Sequence, residues 1–164
     1  MNMRVGVITV SDRSSRGDRE DLSGPAVVTF CTNQGWPVLQ TAIIPDEQPK
    51  IELALKTWAD SGKLDIIFTS GGTGFAPRDV TPEATRAVLE KLSPGIDEMI
   101  RTKSMQITPK AALSRAISGI RGRTFILNLP GSPKAVVEIL EWVAPILPHA
   151  VDLLRESPAD IVGH

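Results

Sequence analysis

The chain has 164 residues, of which 41% are hydrophobic and 23% charged, and its formal net charge is −1. That is the make-up of one folded domain with a real core, with no basic field to draw nucleic acid or an anionic membrane. Aromatic residues make up 4% and tyrosine is absent, which argues against a base-stacking platform.

The opening "MNMRVGVITVSD" turns polar after about ten residues, so it reads as a strand (4–10) rather than a leader, and a cytoplasmic location is expected. A helix over 25–34 follows, opened by Gly24-Pro25 and stopped by Gly35. The lone cysteine, Cys31, lies in its apolar run "VVTFC". It reads as a buried small hydrophobe, and with no second cysteine there is no internal disulfide or cysteine metal cage. "PVLQTAII" (37–44) is the second strand. "KIELALKTWADSG" then sets Ile51, Ala54, Leu55 and Trp58 on one helical face. "LDIIFT" (64–69) is the third strand, and "PEATRAVLEKL" (82–92) stacks Ala84, Val88 and Leu92 on a helix. Residues 93–122 break the alternation as a helical or irregular excursion without a convincing strand. "TFILNL" (124–129) and the helix "PKAVVEILEWVAPIL" close the pattern. Apolar strands alternating with helices predict an α/β sandwich with a mostly parallel sheet covered on both faces. Residues 1–156 are expected to form a single domain, and 157–164 a loosely held tail. No apolar run reaches the roughly 18 residues of a membrane span. Trp36, Trp58 and Trp142 belong to the core or to a subunit interface; periodicity does not separate the two.

Three hydroxyl-proline pairs, Thr81-Pro82, Thr108-Pro109 and Ser132-Pro133, are expected to cap helices. The first and third follow glycine-rich turns directly after strands, "GGTGFAPRDVTP" and "NLPGSP". In parallel sheets that edge is where ligands bind.

Gly71, Gly72 and Gly74 let successive amides converge on an anion, although a plain strand-to-helix turn explains such a loop equally well. No G-K-[ST] occurs, which excludes a Walker loop, and the fragment Gly72-x-Gly74 follows the third strand rather than the first, unlike a dinucleotide fingerprint. Asp79 favours a ligand. A carboxylate beside a phosphate cradle is repulsive unless a cation lies between them, and Mg²⁺ is held by one or two carboxylates plus phosphate oxygens and water. Asp46 after the second strand and Asp12 after the first fall on the same edge, which points to metal-assisted phosphate chemistry. Arg78 either forks onto a phosphate or pairs with a neighbour. His149 and His164 lie away from the strand ends and no G-x-S-x-G occurs, so histidine base and serine nucleophile chemistry lack support. The remaining chemistry is phosphoryl or nucleotidyl transfer, in which the substrate brings its own nucleophile.

"VSDR", "IPDEQ", "TSGGTGFAPRDVTPEAT", "SPGIDEMIR", "ALSRAISGIRG", "LNLPGSPKA" and "PHAVDLLR" occur in an order that resembles the MogA/MoaB family of molybdenum-cofactor biosynthesis, with the G domains of gephyrin and plant Cnx proteins. The resemblance implies a three-layer α/β/α sandwich assembled as a homotrimer. It also implies molybdopterin adenylyltransferase activity: AMP passes from Mg-ATP to the terminal phosphate of molybdopterin, pyrophosphate leaves, and the product goes to a MoeA-type molybdate insertase. It makes Asp46 and Asp79 the catalytic, Mg²⁺-associated acids. Gly71, Gly72, Thr73 and Gly74 become the phosphate loop, and Ser11, Asp12, Pro130 and Gly131 line the nucleotide site. Thr73, Ser104 and Ser114 are placed at the molybdopterin. No motif is broken at Asp46, Asp79 or the loop, which favours an active enzyme. A non-catalytic molybdopterin carrier of the same fold is the alternative.

Overall fold

The computed structural model describes residues 2–156; the expected tail 157–164 lies outside the described residues. Six strands, β1 (Val5–Val10), β2 (Val38–Ile44), β3 (Ile66–Ser70), β4 (Lys91–Leu92), β5 (Ser118–Arg121) and β6 (Thr124–Leu129), form one sheet in the order β2-β1-β3-β6-β5-β4. The first four in that order run parallel, and β5 and β4 are antiparallel additions at one edge. The helices are α1 (Asp12–Ser15), α2 (Ser23–Asn33), α3 (Gln48–Asp60), α4 (Thr81–Val88), α5 (Pro94–Ile107), α6 (Pro133–Val143) and α7 (Leu147–Arg155), with a 3₁₀ turn at Pro109–Leu113.

Successive strand residues point to opposite faces, so alternate residues feed two cores. Val5, Val7, Ile66, Phe68, Phe125 and Leu127 pack on α2, α6 and α7 through Val27, Cys31, Val136 and Leu147. Ile8, Val10, Ile67 and Ile126 pack on α3 and α4 through Ile51, Leu55, Trp58 and Val88. The expected α/β/α sandwich is therefore present. Cys31 is fully buried and its thiol is pushed up to about 12 by burial, as suits a core residue. Trp36 and Trp58 are core residues, while Trp142 is half-buried with the Lys103 ammonium 5.7 Å from its ring centroid.

Three local expectations are corrected. The helix expected over 82–92 ends at Val88, because Leu89 turns extended (ψ 137) and the Glu90 amide donates to the Ile120 carbonyl at 2.8 Å. Leu92 consequently lies on β4, half exposed, rather than on the helix face. The excursion 93–122 does contain a strand, β5, which a two-residue turn at Gly122-Arg123 folds back on β6; Gly122 has φ +58, the left-handed value such hairpins require. Thr108 and Ser132 cap as expected, accepting from the Lys110 and Ala135 amides. Thr81 does not: it is the first residue of α4, and its hydroxyl donates to the Gly71 carbonyl at 2.9 Å.

Candidate functional site at the carboxyl edge of the sheet

The parallel strands β1, β2, β3 and β6 end on one edge, and the acidic and glycine-rich turns meet there. Asp12 and Asp46 are locked reciprocally across that edge. The Asp12 amide donates to Asp46 Oδ2 at 2.8 Å, and the Asp46 amide donates to Asp12 Oδ1 at 3.0 Å. Arg78 resolves its two readings by forking onto Asp12 through Nε and Nη2, both at 2.9 Å. That guanidinium holds the Asp12 carboxyl below its usual range. Burial pushes the Asp46 carboxyl up, opposed by the hydrogen bond from the Asp12 amide and reinforced by the charges of Asp12 and Asp79. Ser11 accepts from the Ser14 amide at 3.1 Å and starts the short helix α1.

The glycine loop is anchored at both ends. The Gly71 amide donates to the Leu129 carbonyl at 3.0 Å, and the Gly71 carbonyl accepts from Thr81. Gly71 and Gly72 have φ +97 and +68, and a Cβ on Gly71 would strike the Val10 carbonyl oxygen. Asp79 fixes the far side by accepting through Oδ2 from the Gly74 and Ala76 amides at 3.0 and 3.1 Å. The amides of Gly72 and Thr73 donate to no group of the described chain. Two unengaged N–H groups in a left-handed turn form a concavity suited to an anion.

Arg115 is the residue that sequence reasoning missed. Its amide donates to the Thr73 carbonyl at 2.8 Å, Nε to the Gly74 carbonyl at 2.8 Å and Nη2 to the Asp79 carbonyl at 2.9 Å, and Nη1 pairs with Glu83. It clamps the glycine loop to the excursion. Lying 41 residues from Gly74, it carries no local signal of that role.

Two clefts share this edge. A polar one of about 220 Å³ is lined by Ser11, Asp46, Gly71, Gly72, Asp79 and Gly131, with Arg19 and Asp21 on its wall. A largely apolar one of about 280 Å³ holds Ser104, Ser114 and Pro130, with Asp97 and Asn128 also lining it. Pro130 lines the apolar cleft and its neighbour Gly131 the polar one, so the two adjoin at this turn; a Cβ on Gly131 would stand 3.8 Å from the Gly71 Cα on the polar side. Of the expected residues, Asp12 and Gly74 back the polar cleft without lining it. Thr73 is buried and reaches neither cleft by its side chain, leaving its free amide as the group it offers. In the apolar pocket, burial pushes the Asp97 carboxyl up, opposed by the Ser118 hydroxyl, the Ser118 amide and the Arg101 charge. Arg101 Nη1 donates to the carbonyls of Ser114 and Ala116 and so holds the wall that carries Ser114. Among the described residues no three His, Cys, Asp or Glu side chains converge to cage a metal, and no helix is long and apolar enough to cross a membrane.

Residues 6–149 match the model of the "probable molybdopterin binding domain" family. The chain is 43% identical over 154 residues to a molybdopterin adenylyltransferase of Helicobacter pylori, covering 93% of this chain and 88% of that one. It is 47% identical to the molybdenum cofactor synthesis protein cinnamon of Drosophila melanogaster, covering 99% of this chain but spanning only 28% of that longer protein. The crystal structure of the molybdopterin biosynthesis enzyme MoaB of Thermus thermophilus superposes with a TM-score of 0.88 at 49% identity, over 95% of this chain and 98% of that one. The order of motifs along the sequence, the sheet topology and these likenesses agree: the chain belongs to the MogA/MoaB family of probable molybdopterin binding domains.

Proposed function

We propose that this chain is a molybdopterin adenylyltransferase, transferring AMP from ATP to the terminal phosphate of molybdopterin. The observation that carries the reading is the adjacency of the two clefts at Pro130-Gly131. A ligand with a flat organic end and a phosphate end can lie with its rings in the apolar pocket and its phosphate at the free amides of Gly72 and Thr73. ATP entering the polar cleft then meets that phosphate at the loop. Two substrates aligned in this way need no protein nucleophile, because the molybdopterin phosphate oxygen bonds to the α-phosphorus as the bond to pyrophosphate breaks. Relatives named molybdopterin adenylyltransferase, more than two thirds of whose length this chain covers, support it.

The residues fit Mg²⁺. Asp46 Oδ2 and Asp79 Oδ2 are engaged by backbone amides, and the second oxygen of each accepts no hydrogen bond in the described chain. Two hard oxygen donors beside a phosphate cradle match an ion that completes its shell with phosphate and water. Once bound, Mg²⁺ neutralises charge on the phosphates. Asp46 and Asp79 hold it, the Gly71–Gly74 loop orients phosphate, and Ser104 and Ser114 contact the pterin end. A homotrimer in the cytoplasm, handing its product to a MoeA-type insertase, completes the proposal. The exposed apolar side chains Leu39 and Ile43 on edge strand β2 offer surface for a subunit contact, and sedimentation reads the assembly.

The test is pyrophosphate release from Mg-ATP with and without molybdopterin, for the native chain and Asp79→Asn. Release that requires molybdopterin and collapses in the variant is expected. Folded protein that binds molybdopterin without any release would refute the transferase and leave a carrier.

A further inference from the structure

We propose that Asp97 determines the specificity of the apolar pocket: its carboxylate reads the 2-amino and N3–H edge of a pterin. The inference rests on the reading that this pocket takes the pterin end of molybdopterin.

Asp97 sits in the first turns of α5 and is only 7% exposed, yet it lines the pocket with Ile100, Leu127 and Ile139. Its Oδ1 accepts from the Ser118 hydroxyl at 2.7 Å, which fixes the orientation of the carboxylate. The Ser118 amide also steadies the carboxylate; Oδ2 accepts from no side chain, and among the described residues no fully buried side-chain oxygen or nitrogen lacks a partner. Oδ2 therefore reaches the pocket surface. The Arg101 charge acts on the carboxyl without closing on it, because its Nη1 is directed to the carbonyls of Ser114 and Ala116 and no ion pair with Asp97 forms. A carboxylate left in apolar surroundings with an open oxygen is costly unless a ligand donates to it.

The pterin edge supplies that donor pair. Its 2-amino group and N3–H lie side by side, and a carboxylate presents two oxygens with lone pairs to spare, so Oδ1 accepts a second bond beside Ser118. Glu138 is the other acid of the pocket. It lies on α6, its side chain is 28% exposed, and the Lys134 ammonium stands 3.9 Å away, so it needs no ligand to offset its charge. Pro130 lines the same pocket, so a ligand held at Asp97 can extend to the turn beside the glycine loop.

The test is competition against bound molybdopterin by a tetrahydropterin and by the matching tetrahydrolumazine, which carries a carbonyl oxygen in place of the 2-amino group. The native chain should prefer the pterin by about ten- to a hundred-fold, the worth of a hydrogen bond to a charged group. Asp97→Asn keeps the Ser118 bond and the shape but presents one donor and one acceptor. It should erase or reverse that preference and weaken molybdopterin by a similar factor, while ATP binding stays native and the melting temperature does not fall. Glu138→Gln should leave the preference intact. A native chain that does not discriminate, an Asp97→Asn variant that still does, or loss of the preference through Glu138→Gln instead would each overturn the proposal. Any of these results alongside molybdopterin-dependent pyrophosphate release sinks the role of Asp97 alone; absence of that release sinks the transferase with it.

Discussion

Substituting Gly71→Ala tests whether the cradle is held as rigidly as its bonds imply. At φ +97 an alanine is strained, and its Cβ would meet the Val10 carbonyl oxygen, part of the strand backbone. The loop cannot retreat easily, because the Gly71 amide is tied to Leu129 and its carbonyl to Thr81. A disfavoured φ costs on the order of 1–3 kcal/mol and an overpacked site a similar amount, so a loss of about 3 kcal/mol is expected. For a chain of this length that lowers the melting temperature by about 6–12 °C. Transfer should suffer more than stability does, since a displacement of about 1 Å at a positioning element costs on the order of a hundred-fold in rate. Calorimetric melting and pyrophosphate release under saturating substrates read the two effects. Gly95→Ala, where a Cβ meets nothing and the residue lies in α5, serves as control and should be neutral or slightly stabilising. If Gly71→Ala melts within about 2 °C of the native chain and turns over normally, the account of the loop is wrong.

At the opposite end of the sheet, Asp65 is 2% exposed and accepts from Arg4 and Arg155. Burial alone would raise its carboxyl, but those hydrogen bonds overcome it and hold the group well below the usual carboxylate range. The resulting stability is fully present above the unfolded value near about 4 and drains away as pH falls below it. Asp65→Asn should cost about 2–3 kcal/mol at neutral pH, between the values for exposed and buried pairs because both arginines are 40% exposed. Denaturant titrations at falling pH should show the gap to the native chain closing; a constant gap rejects the assignment. Arg115→Met leaves the carbonyls of Gly74 and Asp79 without their donor and should cost about 1–2 kcal/mol, with transfer reduced at least about ten-fold because the clamp on the loop is lost; unchanged turnover in a folded variant refutes the clamp. Chelation by EDTA should abolish molybdopterin-dependent pyrophosphate release, and added Mg²⁺ should restore it; activity that survives chelation removes the metal from the proposal.

How far the site could be read from sequence follows from which contacts the strand pattern dictates. Parallel strands bring their ends to one edge, so Asp12, Asp46 and the glycine loop could be placed together from their positions after β1, β2 and β3. What the pattern could not supply was the partner of each group. Arg78 and Asp12 are 66 residues apart, and only the folded edge shows that the fork closes on that carboxylate. Thr81 has the sequence of a cap, yet the close approach of Gly71 captures its hydroxyl first. β5 is too short and too polar to announce itself, and the Gly122-Arg123 turn was its one local mark. Missing β5 also concealed Ser118, and with it the oriented carboxylate of Asp97.

The same bonding explains why a carboxylate stands where phosphate loops commonly place a lysine. A lysine would neutralise phosphate itself but would leave the Gly74 and Ala76 amides without the acceptor that shapes this loop. Asp79 accepts from both through one oxygen and keeps the other open at the cleft. Arg115 and Thr81 meanwhile take the carbonyls of Gly74 and Gly71, so the loop is held from its acceptor side. The Gly72 and Thr73 amides are thereby left unspent. An anion can then be bound by backbone N–H groups while its excess charge is met by a cation that Asp79 and Asp46 recruit. On this account Asp79→Lys does not convert the site to a lysine-type cradle. It removes the loop's internal acceptor, and both stability and phosphate binding should fall together, whereas a charge-only role for Asp79 requires phosphate binding to rise.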